Sequence, residues 1–171
     1  MTILLRIVQA VAAIACLAMA TTACTTTVPG AAVPAPTSSA ANADVFAGLN
    51  ACQVLDQLTA GEGFNPGENK SRRNECGATK PEFGTYGLAL DPVQGLREFV
   101  ENSEGVVETS VNGRNALQAP IPLGGCAIVI EVSSHARAMV QVSLSSNDDQ
   151  QACVDAQAFA EKLEPLLPKV P

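Results

Sequence analysis

At 171 residues, with 47% apolar and 16% charged residues, the chain has enough apolar content for one core of ordinary domain size. Its net charge of −7 excludes nucleic acid and anionic lipid surfaces as partners, because neutralising phosphates requires an excess of Lys and Arg.

Residues 1–23 have the three parts of an export signal: the lone cation Arg6, an apolar run over 7–20, and small residues before a cut. That run is shorter than the roughly 20 residues a spanning helix needs, so it reads as a cleaved signal and not as a permanent span. Thr21-Thr22-Ala23-Cys24 resembles a bacterial lipobox, with Thr21 in place of the usual aliphatic residue, while Ala18-Met19-Ala20 offers ordinary signal peptidase a rival site. Cys24 is the expected lipidation residue, since it would otherwise be an unpaired thiol in an oxidising compartment. Two or three acyl chains there would retain the protein on the extracytoplasmic face of the cell membrane. Cleavage at the rival site would leave it secreted.

Residues 24–43 carry no charge and consist mainly of Thr, Pro, Ala, Ser and Gly, the composition of a disordered tether with a typical reach of about 25 Å. From residue 44 the pattern changes to apolar residues spaced among charges, and 44–171 reads as one domain. Loss of Arg6 with the signal leaves nine basic and 17 acidic residues, a charge near −8. Cys52, Cys76, Cys126 and Cys153 lie inside the domain, and an even count in an exported chain points to two disulfides. Spacing favours Cys52 with Cys76 and Cys126 with Cys153, each joining a helix start to a nearby strand; the other two connectivities remain open. There is no C-x-x-C and no Cys/His cluster, so neither a zinc site nor a dithiol redox centre is expected, and no cofactor motif occurs.

In chain order, Asn50 caps a short helix with Gln53 in the capping-box place and Val54, Leu55 and Leu58 as its apolar stripe. A polar loop follows through Asn74. Residues 75–91 read as two strands, with Tyr86, Leu88 and Leu90 toward one face. Asp91-Pro92 is expected to start a second helix, burying Val93, Leu96, Phe99 and Val100. Strands over 105–111 and 114–119 flank Asn112-Gly113, the dipeptide of a tight hairpin. A second hairpin pairs Cys126, Ile128, Ile130 and Val132 with Ala138, Val140, Val142 and Leu144 across a turn at 133–136. Asn147 or Asp148 caps a last helix whose Val154, Phe159 and Leu163 face inward until Pro165 and Pro168. The expected fold is α+β: an antiparallel sheet of five or six strands with N-terminal, middle and C-terminal helices packed on it.

Asn-Ala-Cys52-Gln-Val-Leu55, Cys76 opening a strand, Gly113-Arg114-Asn115-Ala116, Cys126-Ala-Ile-Val-Ile and Cys153-x-x-Ala156 running to Leu167-Pro168 together resemble a family. It is the actinobacterial family of exported lipoproteins catalogued as domain of unknown function three-five-five-eight. The resemblance implies export and a disulfide-bonded globular domain, and it brings no catalytic residues. Gly77-Ala78 departs from it, since the family often has an aromatic residue two places after the cysteine.

Little in the residues points to chemistry. His135 is the one histidine and falls in a turn; Ser133, His135 and Asp148 could be written as a triad, but no G-x-S-x-G elbow places a serine for attack. Lys70, Arg72 and Arg73 share their loop with Glu68 and Glu75 and read as a solvated face. Asp148-Asp149 is accounted for by helix capping, and Gly124-Gly125 lacks the helix and lysine of a phosphate loop. The aromatic residues are too few and scattered for a carbohydrate platform. No catalytic and no metal-binding residue is assigned. The expectation is a non-catalytic envelope lipoprotein that binds an envelope protein, a lipid or other small hydrophobic ligand, or another envelope component. The alternative is a lipid-anchored or secreted hydrolase. Cys24→Ala should move the mature protein from the membrane fraction to the medium, and unchanged membrane retention would overturn the lipid assignment.

Overall fold

The computed structural model describes residues 44–169; the export signal, Cys24 and the 24–43 segment lie outside them. Asn50 starts α1 (Ala51–Leu58), its Oδ1 accepting from the Cys52 and Gln53 amides at 3.0 and 3.1 Å. β1 (Glu68–Asn69), β2 (Glu75–Lys80) and β3 (Gly84–Asp91) follow, then α2 (Leu96–Asn102), β4 (Val107–Val111), β5 (Arg114–Pro120), β6 (Cys126–Ser133), β7 (Ala136–Leu144) and α3 (Asp149–Leu163), which tightens into a 3-10 turn at Glu164–Leu166. The strands form one antiparallel sheet in the order β1-β2-β3-β7-β6-β5-β4. The α+β expectation holds, with seven strands where five or six were expected. The strand missing from the sequence reading is β1. Both of its residues are exposed, so no alternation announces it; it forms because Cys76 and Gly77 offer partners and because Asp56 Oδ1 accepts from the Gly67 amide at 2.7 Å.

One face of the sheet carries the main core. Tyr86, Leu88 and Leu90 of β3 lie beside Val142, Val140 and Ala138 of β7, and Cys126, Ile128, Ile130 and Val132 of β6 continue the layer beneath α1 and α3. The inward stripe of α3 is Ala152, Ala156, Phe159, Ala160 and Leu163, and its alanines let the helix lie close to the strands. Val154 is therefore not inward, being 61% exposed; it falls on the side opposite a stripe set by alanine, which the sequence reading passed over in favour of larger residues.

The second helix also begins later than expected. Asp91 ends β3, and its Oδ1 accepts from the Val93 and Gln94 amides at 3.0 and 3.2 Å, closing a turn. Gly95 caps α2, its amide donating to Glu98 Oε2 at 2.8 Å. Val93 and Val100 are consequently exposed, at 76% and 50%, while Leu96 and Phe99 make the apolar contacts. The Glu98 carboxyl is held down to about 2, chiefly by its hydrogen bonds from Arg97 and from the backbone.

The disulfides are Cys52–Cys76 and Cys126–Cys153, the pairing that spacing favoured. Each ties the first turns of a helix to the sheet. With separations of 24 and 27 residues, loop-closure entropy assigns each bridge about 3.5 kcal/mol. Replacing Cys126 and Cys153 together by Ala should lower the unfolding free energy by about that amount in a urea titration, with the Cys52–Cys76 bridge still intact by peptide mapping.

Candidate binding groove

The second face of the sheet is only half covered. Across β5, β6 and β7, α2 lays Phe99 and Leu96 over Leu117, Ala119, Ala127 and Val129, with Val106, Ile121 and Met139 at the margin. Arg137 reaches across from β7, donating to Gly95 O at 3.0 Å and Gln94 Oε1 at 2.9 Å while its guanidinium lies 5.6 Å from the Phe99 ring. Burial here pulls the Arg137 pKa down, against the opposing pull of Asp91 and Glu98.

Among the described residues no helix lies over this face of β2, β3 and the near side of β7, and the strands show their side chains in cross-strand rows. Glu75, Ala89 and Met139 form one row; Gly77, Gly87 and Gln141 the next; Thr79, Thr85 and Ser143 the third. Two glycines stand opposite each other in the middle row, so the floor there is low, with the Lys70 side chain laid over Gly77 and the Gln141 side chain beside Gly87. The result is a half-open groove of about 350 Å³, walled by Ile121 and Met139 on one side and Lys70 on the other. A second cleft of about 250 Å³ continues it along β3, sharing Glu75 and Ala89 and running past Asn74, Asp91 and Val93 to Asp44.

The groove is electrically quiet. Lys70 Nζ lies 3.3 Å from Glu68, and Arg73 lies 3.1 Å from Glu75, so the basic cluster singled out in the sequence is mostly spent on neighbouring carboxylates. Hydrogen-bonding capacity comes from the Thr79 and Thr85 hydroxyls, 3.3 Å apart, and from the half-buried Gln141 amide. Asn74 at the junction of the two clefts is structural: its Oδ1 accepts from the Ala51 amide at 2.8 Å and its Nδ2 donates to Leu49 O at 2.7 Å, pinning the entry to α1. Glycine inside a strand weakens it and recurs where a ligand or another backbone approaches closely. Gly77 and Gly87 were that signal in the sequence, on the face opposite Tyr86 and Leu88.

The other sequence candidates are dispersed. His135 lies in an open depression with Arg114, Asn115, Glu131, Ser133 and Lys169, its Nδ1 3.4 Å from Ser134 Oγ. Asp148 lies beyond the opposite end of β7, whose nine residues span about 30 Å, so Ser133, His135 and Asp148 are not brought together. Arg114 is held by Glu164 at 2.6 Å and by Pro168 O at 3.0 Å. Asp148 caps α3 through the Gln151 amide, and Asp149 accepts from the Gly125 amide at 2.7 Å. At Gly125 a Cβ would meet Val142 O at 2.2 Å, so Gly124-Gly125 is a turn that lets the chain pass close to β7. Among the described residues no group of three or more His, Cys, Asp or Glu is placed to hold a metal ion, and no helix is long and apolar enough to cross a membrane.

The aromatic residues are less scattered than their positions implied. Phe64 stacks on Tyr86 at 4.8 Å, Phe83 stands edge-on to both at 5.5 Å, and Phe159 closes on Tyr86 at 4.7 Å. Lys80 covers the cluster from 5.7 and 5.5 Å. This cluster seals one end of the core, because Tyr86 and Phe159 are themselves buried. Comparison with known protein families, with curated proteins and with solved structures finds no match to this chain.

Burial, then the charges of Asp155 and Glu62, push the Tyr86 phenol up to about 12 from the usual 10. Tyr86 is the one tyrosine in the sequence, so phenolate absorbance near 295 nm reads it without interference. Between pH 10 and about 12 the unfolded chain releases this proton and the folded chain keeps it, so the contribution is intact below 10 and is lost as pH rises through that window. Tyr86→Phe should flatten that part of the stability profile, measured by denaturation at stepped pH.

Proposed function

We propose that this chain is an exported envelope lipoprotein, anchored through Cys24 and akin to the actinobacterial family it resembles, that works by binding and not by catalysis. Its groove takes an extended, uncharged segment of an envelope protein. The observation that supports this reading is the low row of Gly77, Gly87 and Gln141 beside α2, where the flexible Lys70 side chain over Gly77 is what a second backbone would have to move to approach the strands. The continuation of the groove along β3 supports an elongated ligand over a compact one, and a volume of about 350 Å³ is at the small end for a drug-sized molecule. Paired rim charges and a mature charge near −8 also argue against an anionic ligand. The hydrolase alternative has less to rest on, since the contact of His135 is Ser134 and not a carboxylate.

Gly87→Trp tests the reading. A Cβ at Gly87 would sit at ordinary contact distance, 3.4 Å from that of Gln141, so the substitution can be accepted while the indole fills the groove. Wild-type and Gly87→Trp protein, matched by circular dichroism and melting temperature, would be immobilised and exposed to solubilised envelope extract. The expected outcome is a species retained by the wild type and reduced at least tenfold on the variant, about 1.4 kcal/mol in binding. Identical retained sets would remove the groove as the binding surface.

A further inference from the structure

Leu123 is fully exposed, at 105%, on the tip of the turn that joins β5 to β6. A single exposed leucine is ordinary on a protein surface; the backbone that carries this one is not. The Gly124 amide donates to Ile121 O at 3.3 Å, closing a four-residue turn with Pro122 and Leu123 at its centre. Proline holds the second position near a φ of about −65°, and Leu123 has a φ of +71° at the third. That is a type II turn, whose third position suits Gly or Asn. A leucine there strains the backbone and buries no apolar surface in return.

The turn is held firmly from behind. Ser143 Oγ donates to Gly124 O at 3.2 Å, the Gly125 amide donates to Asp149 Oδ1 at 2.7 Å, and the Ile121 amide donates to Gly125 O at 3.3 Å. Between the turn and the chain leaving α2 lies a cleft of about 330 Å³. Pro120, Ile121 and Pro122 make its apolar wall, and Asn102, Ser103 and Glu104 make its polar one. Glu104 is exposed and enters no ion pair among the described residues, and no Lys or Arg lines the cleft. Asp148 and Asp149, both exposed, flank the turn on the α3 side.

We propose that this tip is a contact surface for a second, different protein, which offers an apolar socket to Leu123 and sets a Lys or Arg side chain into the cleft. The proline wall suits the methylene stem of such a side chain, and Glu104 with Asn102 and Ser103 suits its cationic head. A knob already held in shape loses little freedom on binding, so a small contact contributes more than its area suggests. Carboxylates on both sides of the knob select a basic rim. The same charges oppose other occupants: a second copy brings its own charge near −8, and an anionic lipid surface brings phosphates. The inference does not rest on the groove over β2 and β3, whose lining shares only Ile121 with this cleft.

The test uses the whole mature chain, kept soluble by Cys24→Ala, with a photoreactive benzoylphenylalanine in place of Leu123. A control chain carries the same residue in place of Val93, which is 76% exposed beyond the opposite end of β3. Irradiated with solubilised envelope, the first chain is expected to form one protein adduct and the control none. Excess chain without the photoreactive residue should suppress that adduct. The same competitor carrying Leu123→Asn should need a roughly tenfold higher concentration to do so, and the one carrying Glu104→Gln roughly fivefold. Leu123→Asn should also raise the melting temperature by about 3 °C, because Asn accepts the turn that Leu strains. A fall in melting temperature would make Leu123 a residue of the fold and overturn the inference. So would an adduct to a second copy or to lipid, no adduct, equal labelling from position 93, or a Leu123→Asn competitor as effective as the unaltered chain.

Discussion

The pairing of β3 with β7 is the constraint on which the rest of the structure depends. It joins two meanders, β1 to β3 and β4 to β7, along the full length of β3 from Gly84 opposite Leu144 to Asp91 opposite Arg137. Neither disulfide crosses this seam: Cys52–Cys76 belongs to the first meander with α1, and Cys126–Cys153 to the second with α3. The seam is therefore held by its ladder and by the apolar layer of Tyr86, Leu88, Leu90, Ala138, Val140 and Val142 beneath the helices. It also determines where the groove lies. Because β7 takes the place beside β3, the chain leaving β3 must travel past β7, β6 and β5 to reach the β4 edge, about 19 Å of strand spacings. The seven residues of α2 lie on that path and cover the strands they pass. On that face no described helix covers the strands behind, β2 and β3.

This explains why the groove is both shallow and neutral. A crossover helix that passes on one side leaves a floor bounded by its own margin, Met139 and Ile121, and by the folded-back loop that carries Lys70. The floor is low because Gly77 and Gly87 face each other where the cover ends, and Gly77 leaves room for the Lys70 side chain laid over it. The local ion pairs of Lys70 and Arg73 leave little field over the floor. What the floor offers is the hydrogen-bonding capacity of Thr79, Thr85 and Gln141.

Elements specified by neighbouring residues were legible in the sequence. Asn112-Gly113 adopts the positive φ values a tight turn requires, 49° and 88°; Asn50 caps α1 and Asp148 caps α3; the alternation in β3, β6 and β7 buried the expected faces. What the sequence hid depends on tertiary partners. β1 exists only because β2 is beside it. The start of α2 moved because the Asp91 side chain turns the chain before the helix can form. Val154 lost to an alanine stripe whose burial no hydropathy pattern advertises. The groove was least legible of all, since it is defined by what a distant helix fails to cover, and its only local trace was a pair of strand glycines.

Cys52–Cys76 has a mechanical meaning distinct from its thermodynamic one. A pull applied at Asp44 travels through the buried Phe46 and the first turn of α1, then passes at Cys52 across the bridge to Cys76 in β2. The long stretch between those cysteines, with the rest of α1, its following loop and β1, lies outside the load path. Cys76 is the immediate neighbour of Gly77 on the groove floor. A force arriving at Asp44 is thus connected to the groove floor by the nine residues 44–52 and one covalent bridge, and tension reaches that floor without first crossing the seam between the meanders.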